Sequence, residues 1–310
     1  MLGRSFLFGE GIMAENKHNY GGQAVIEGVM IRGRKAISTA LRRPNGELMV
    51  ETKPLSSLYT GRLRTAPLIR GIIVLIETLV LGIKTLMHSA NVALEEEDEK
   101  VEGPMVWLIM IIALAGGVAV FFLAPMFLTK LFTIQNTVVF HLVEGLIRLT
   151  IFIIYLRLIS LMPDIKRVFA YHGAEHKVVN AYEGGALLEV DSVKPYSTAH
   201  VRCGSSFLFI VLIIAILVFA LIGMPSLWIM IVSRIVLVPV IAALGYEVIY
   251  FGARHTENPL MRAVLAPGLW LQALTTRQPD EKQIEVALLA LSSALEADRE
   301  PEEVIPTASQ

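Results

Sequence analysis

Cysteine is nearly absent from this chain. Cys203 is the single one in 310 residues, so no disulfide can form within the chain. Charge is scarce too, at 18% of residues, and it nearly cancels to a net of -1. No basic stripe interleaves with aromatic residues, which argues against nucleic acid as a partner. The phosphate-loop pattern G-x-x-x-x-G-K-[ST] is missing, and the glycine-rich stretch Tyr20–Gly33 does not supply one. A cleavable signal peptide is not expected either. Met1–Met13 is short, contains Glu10 and runs into the polar "AENKHNY" without a small-residue cleavage site, and Met13 is itself a candidate start.

What the chain has in quantity is apolar residues. They make up 54% of the sequence, and the mean hydropathy of +0.60 is that of an integral membrane protein. Four blocks reach the roughly 20 residues that a bilayer crossing requires: about Met105–Thr129, Val138–Met162, Ser206–Gly223 and Leu227–Val248. Very short links join the first to the second and the third to the fourth, so two helical hairpins are expected. The two tips, Lys130–Thr137 and Met224–Ser226, carry one basic residue, Lys130. Arg32, Arg34, Lys35, Arg42, Arg43, Lys166, Arg167, Lys177, Lys194, Arg202, Arg254, Arg262, Arg277 and Lys282 lie on the other flanks. The positive-inside rule then puts both termini and the central segment in the cytoplasm.

The fold expected is mainly α: a polytopic helical membrane protein with about four transmembrane helices and a small cytoplasmic β-hairpin unit. Residues 1–65 form the β-rich segment, in which Ile37–Arg42 and Glu47–Thr52 flank a Pro44-Asn45-Gly46 turn. Residues 66–100 hold an amphipathic helix and the acidic linker Glu95–Lys100. Arg70, Glu77 and Lys84 recur every seventh residue there, with His88 one turn later, a narrow polar stripe on an apolar helix. That stripe meets either water and headgroups or other helices. Parity of the crossings favours the first and an interfacial helix. Residues 101–162 are the first hairpin, 163–205 the central cytoplasmic segment, 206–250 the second hairpin, and 251–310 a C-terminal helix with an acidic tail.

The chemistry concentrates in the central segment, in "YHGAEHKVVNAYEGG". Pro163 and Asp164 open a helix there, and Gly184-Gly185 close it. His172 and His176 are four apart, so their imidazoles share one side of one turn, a bite suited to a single zinc ion. Glu175 sits on the adjacent edge, where a general base is wanted. H-x-x-E-H is the inverzincin order. The plain alternative is a pair of packed polar histidines with no metal. Glu183 lies seven residues beyond His176, roughly 10 Å along the axis and too far for the same ion. A third ligand must come from elsewhere, and "STAHVRCGSSF" offers His200 and Cys203. Both together close a structural cage, whereas one alone leaves a position open. Cys203 also reads as small apolar filler at a helix start.

Other polar candidates are Gln23 and Glu27 in the glycine-rich stretch, Arg202 beside Cys203, and Glu247 and Arg234 in the fourth block. Glu144, Arg148, Arg157, Arg234 and Glu247 fall within apolar blocks and should face the bundle interior. Glu144 and Arg148 are four apart and able to pair, and Arg234 with Pro239 is a candidate break in the fourth helix.

In this order, "YGGQAVIEGVMIRG", "YHGAEHKVVNAYE", "HVRCGSSFL" and "PGLWLQALTTRQPDEKQIEVA" resemble the YqhQ family of bacterial membrane proteins, over roughly Tyr20–Leu291. The family pattern H-P-R-C-G-T-S-F has Val201 and Ser205 here in place of its proline and threonine, and His200 and Cys203 stand unchanged. The family is functionally uncharacterised and sometimes labelled metal-dependent. The resemblance implies a bacterial cytoplasmic-membrane protein and a metal at His172, Glu175 and His176. It does not supply a substrate.

Two functions from different classes are expected to compete. One is a zinc-dependent hydrolase acting at the cytoplasmic membrane surface on a peptide or lipid bond, with Glu175 as base. The other is a non-enzymatic scaffold or assembly factor with a structural metal or none. A transporter has less support, because no internal repeat or pair of broken helices is visible. The lipid bilayer is the one expected partner, with a homo-oligomer as an open option.

Overall fold

The computed structural model describes residues 20–56, 66–95, 103–255 and 258–299. Met1–Met13 and almost all of the acidic linker lie outside the described residues. The architecture is mainly helical with one small four-stranded antiparallel sheet.

The sheet is a meander: β1 (Gly21–Val25), β2 (Gly28–Arg32), β3 (Ala36–Arg42) and β4 (Leu48–Pro54), paired in that order. The β3–β4 hairpin lies where the alternation and the Pro44-Asn45-Gly46 turn predict it, with Gly46 at φ 86°. The glycine-rich stretch forms a second hairpin, β1–β2, with Gly22 opposite Ile31 and Val25 opposite Gly28. Its turn places Glu27 at φ 53°, a left-handed conformation unusual for a side-chain-bearing residue. Arg167 holds that carboxylate through two bonds, Nε to Oε1 at 2.6 Å and Nη2 to Oε2 at 2.5 Å.

The helices follow in chain order. They are α1 (Ile69–Ala93), α2 (Pro104–Val118), a π turn (Ala119–Leu123), α3 (Ala124–Lys130), α4 (Thr137–Ile159), α5 (Pro163–Glu183) and the one-turn α6 (Val190–Val193). Then come α7 (Gly204–Ile222), α8 (Leu227–Val236), α9 (Val238–Arg254), α10 (Pro259–Thr275) and α11 (Glu281–Arg299). Three continuous stretches, Val106–Lys130, α4 and α7, are long and apolar enough to cross a membrane. The fourth expected block is the pair α8 and α9, bent by 48°. Arg234 and Pro239 flank that bend, as their residue types predict.

Two cores result. The first is a soluble-type core: β2 and β3 pack on α5 and α11 through Val29, Ile31, Ala40, Tyr171, Ala174, Val178, Ile284, Ala287 and Leu291. The second is a set of smaller apolar clusters inside the bundle, such as Val211, Ala215, Phe219 and Ile241. The bundle's outer surface is apolar, with Ile111, Leu114, Leu146, Leu158, Leu217 and Leu221 all exposed. That is the pattern lipid-facing helices require.

The first half of the stripe on α1 is covered by protein, while Lys84 is exposed. Glu77 is buried and accepts from Arg32 of β2 at 2.6 Å, and Arg70 forms a salt bridge with Glu247 of α9. Of the two readings open from the sequence, contact with neighbouring elements is the one this packing matches at Arg70 and Glu77. Those partners are remote in sequence, which is why spacing alone could not decide.

Helix α10 is a second departure. The sequence reading gives 251–310 a single helix, whereas two are present among the described residues. "PLMRAVLAPGLWLQALT" is short and carries Pro267 in its interior, so its helical signal is weak. It packs along α7, and Gly268 permits the approach: a Cβ there would sit 2.9 Å from the Cβ of Ser206.

Candidate metal centre

Helix α5 carries the histidines, and four neighbours enclose its C-terminal two-thirds. The sheet covers one side, α11 another, and the segments before α7 and after α10 the rest. Burial there runs all round the helix, beyond the single stripe expected. Two glycines set the close approaches. At Gly173 a Cβ would lie 2.0 Å from the carbonyl oxygen of Arg277, so only glycine lets the chain after α10 press against α5. At Gly22 a Cβ would meet Met30 O at 2.2 Å and Glu175 Cγ at 3.1 Å.

The polar side chains of α5 capture the carbonyls of the loop that precedes α7. Lys177 Nζ donates to the carbonyls of Lys194 and Tyr196, at 2.5 and 2.6 Å. Asn180 Nδ2 donates to the carbonyls of Ser197 and Ala199. Burial lowers the Lys177 ammonium from the ordinary lysine range. These bonds hold the loop so that Cys203, at the start of α7, faces the histidines.

His172 Nδ1 lies 2.8 Å from the carbonyl oxygen of Thr275, and His176 Nδ1 lies 2.6 Å from that of Thr198. A carbonyl only accepts, so each Nδ1 carries the hydrogen and each Nε2 of a neutral ring keeps its lone pair. The two rings stand 4.4 Å apart between centroids. Cys203 Sγ is 3.2 Å from His172 Nε2, and one ligand atom from each of His172, His176 and Cys203 falls within 4.8 Å of the others. Ligands of one tetrahedral zinc, with bonds of about 2.0 Å to nitrogen and about 2.3 Å to sulfur, sit roughly 3.3 to 3.7 Å apart. The donor types suit zinc; Cys203 and His172 stand slightly closer than that spacing, and the whole group falls within a wider 4.8 Å. The carbonyls behind each Nδ1 are the outer contacts that fix the tautomer of a metal-binding histidine.

Glu175 is buried beside this group. Its Oε1 accepts from the Gly22 N–H at 2.8 Å, and its Oε2 stands 3.5 Å from His176 Nε2. One oxygen is anchored by β1, and the other faces the ligand atoms. That anchor explains the β1 hairpin: an extended backbone with a free N–H and no side chain is what reaches Glu175.

The remaining sequence candidates lie elsewhere. His200 is buried next to His176, with ring centroids 5.8 Å apart, but its Nε2 turns to Glu183 Oε2 at 3.3 Å. It is not part of the three-residue group. Burial lowers its pKa, against the opposing pull of the Glu175 charge. Arg202 pairs with Glu183. Gln23 lies against Gly82 of α1, where a Cβ would meet its Oε1 at 2.4 Å. Glu27 is held by Arg167 and the Tyr171 hydroxyl, and Glu247 by Arg70 and the Leu68 N–H. Arg234 belongs to a cluster within the bundle, where it donates to Glu144 together with Arg148.

Sequence reasoning missed Gln272. It is fully buried on α10 and grips the loop before α7, accepting from the His200 N–H and donating to the His200 carbonyl and the Ser206 hydroxyl. Thr275 was missed with it. No local signal marks either residue, because their role depends on α10 packing on α7.

Comparison with known proteins agrees with the resemblance read from the motifs. A family model described as "Protein of unknown function (DUF1385)" matches residues 66–297. The uncharacterized protein YqhQ of Bacillus subtilis (strain 168) is 34% identical over 296 residues, covering 89% of this chain and 92% of that one. No solved structure matches the chain.

Proposed function

This chain belongs to the DUF1385 family, and on that premise we propose that it is a multi-pass protein of the bacterial cytoplasmic membrane with one zinc ion held by His172, His176 and Cys203. In this reading it hydrolyses a peptide or lipid bond at the cytoplasmic membrane surface. One observation carries the proposal. Two Nε2 lone pairs, a thiol and a carboxylate oxygen converge on one buried spot, and both Nδ1 atoms are committed to carbonyls. Such a convergence calls for a cation between its members.

When bound, zinc supplies Lewis-acid chemistry: it polarises an oxygen and makes water acidic near neutral pH. The chain's own residues do the rest. His172 and His176 are held in one tautomer by Thr275 and Thr198. Cys203 caps α7, accepting from the Ser205 N–H at 3.4 Å, which fixes the direction of its sulfur. Glu175 keeps Oε1 on Gly22 and presents Oε2 to take a proton from the attacking water. Three protein ligands leave a position open, the arrangement of catalytic zinc sites.

A second reading is favoured by the 3.2 Å separation of Cys203 Sγ and His172 Nε2, which suits a direct S–H···N hydrogen bond. There the group is a packed polar contact in a membrane scaffold. Metal analysis of purified protein separates the two. About one zinc per chain, absent from a folded His172→Ala/His176→Ala variant, supports the centre; none after zinc reconstitution supports the scaffold.

A further inference from the structure

Lys84 and His88, the second half of the α1 stripe, line a cavity of about 340 Å³ between α1 and the β3–β4 hairpin. Thr39, Glu51 and Lys53 line it from the sheet. Thr39 stands opposite Glu51 across the hairpin, and Lys53 lies two residues on, so all three side chains leave the sheet on one side. Several of these groups are uncommitted. Thr39 is only 6% exposed, yet its hydroxyl has no hydrogen-bond partner among the described residues. Buried hydroxyls nearly always have one. Lys84 is exposed and has no partner among the described residues either. His88 Nε2 is buried and makes no hydrogen bond, with Glu51 Oε2 3.4 Å away. Lys53 pairs with Glu51 at 2.8 Å. Two lysines against one carboxylate leave the cavity one positive charge in excess with His88 neutral.

Helix α1 leads from this cavity to the bundle. Ile72, Ile76, Val80, Lys84 and His88 form one ridge of four-residue spacing. Ile72 and Ile76 are exposed, Val80 lines the cavity, and the two polar residues follow. The apolar end of the ridge begins beside α9, where Gly71 meets Ala243. From Ile72 to Lys84 the helix rises roughly 18 Å, close to the roughly 15 Å of hydrocarbon in one leaflet.

We propose that this cavity binds the headgroup of an anionic phospholipid whose acyl chains lie along Ile76 and Ile72. The excess positive charge suits a phosphate. Glu51 and the Thr39 hydroxyl can also accept hydrogen bonds, which suits a headgroup with hydroxyls beside its phosphate, as in phosphatidylglycerol. A fatty-acid carboxylate has no hydrogen to donate. Soluble glycerol phosphate shares the headgroup chemistry, and the exposed isoleucines favour the lipid. The site shares no residue with the metal centre and does not depend on it.

Native mass spectrometry of the full chain in neutral detergent tests this by counting retained lipids. One phosphatidylglycerol per chain is expected, at concentrations where phosphatidylcholine is not retained. Lys84→Gln should weaken retention at least about fivefold. Thr39→Val should weaken it about threefold at an unchanged or higher melting temperature, because the lost hydroxyl had no protein partner. Lys130→Gln, at a hairpin tip, should change nothing. Ile76→Ser should weaken the lipid and leave the binding of glycerol phosphate as it was. Equal retention of the two phospholipids overturns the proposal, as does a Lys84→Gln variant that matches wild type or one that Lys130→Gln matches in loss. A lower melting temperature for Thr39→Val removes the vacant hydroxyl on which it stands. A fatty acid held as firmly as phosphatidylglycerol overturns the phosphate class. Glycerol phosphate that displaces the lipid, with Ile76→Ser silent, keeps the headgroup site and overturns the lipid as its source.

Discussion

Glu144 and Glu175 are both buried carboxylates on long helices, yet their surroundings are opposite. Glu144 accepts from Arg148 Nη2 at 2.7 Å, from Arg234 Nε and Nη2 at 3.1 and 2.7 Å, and lies 3.0 Å from His141 Nδ1. Each of those partners also reaches a backbone carbonyl: Phe121 in the π turn for Arg148, Met230 for Arg234, Gly223 for His141. The group is saturated, and it ties α4 to α8 and to the end of α7. Glu175 accepts one hydrogen bond, from Gly22, and its other oxygen stands 3.5 Å from His176 Nε2, which in a neutral ring has no hydrogen to give. Saturation makes a brace. Incompleteness makes a place for something to bind.

If that contrast is sound, the largest effect should come from breaking the brace. Glu144→Leu leaves Arg148 and Arg234 buried without their counter-charge, at a cost of about 3 to 5 kcal/mol. Thermal unfolding in detergent should show a large drop, and an unchanged melting temperature would mean the cluster is not dry. Next comes Gly173→Ala, which forces a methyl against the Arg277 carbonyl and should cost about 1 to 3 kcal/mol. Because Thr275 moves with that segment, zinc content should fall as well. The double variant His172→Ala/His176→Ala should keep most of its stability and lose its zinc, read by mass spectrometry. The smallest structural effect belongs to Glu175→Gln, whose amide oxygen can still accept from Gly22. It should retain zinc and near-native melting. Turnover should fall by about 10²- to 10⁴-fold, the usual contribution of a general base, and full activity would remove Glu175 from the mechanism.

Punctuation residues were the legible part of the fold. Pro163 and Gly184 bound α5, Asn45-Gly46 makes the β3–β4 turn, and Arg234 with Pro239 flanks the bend between α8 and α9. Each acts locally, so each can be read locally. The β1–β2 hairpin was harder, because its glycines serve close approaches to Met30 and Glu175 and say nothing of strand pairing. The partners of Arg70 and Glu77 lie on other elements, out of reach of any periodicity argument. Within the centre, four-residue spacing identifies His172 and His176. The three-residue spacing of His200 and Cys203 suggests two equivalent ligands. The chain separates them, since Cys203 caps α7 and His200 is turned away by Glu183 and Gln272.

The soluble-type core has a consequence for how the protein is made. Its first strands leave the ribosome early, but α11, which covers β2 and β3, is the last described helix. Every candidate membrane helix is synthesised in between. At ordinary synthesis rates the sheet must wait roughly ten to fifty seconds for its lid. During that interval Val29, Ile31 and Ala40 lack their α11 partners, and a holding chaperone or the membrane surface has to shield them. A ribosome stalled before Glu281 should therefore carry a nascent chain whose first hairpins are sensitive to protease, and release past Arg299 should close them.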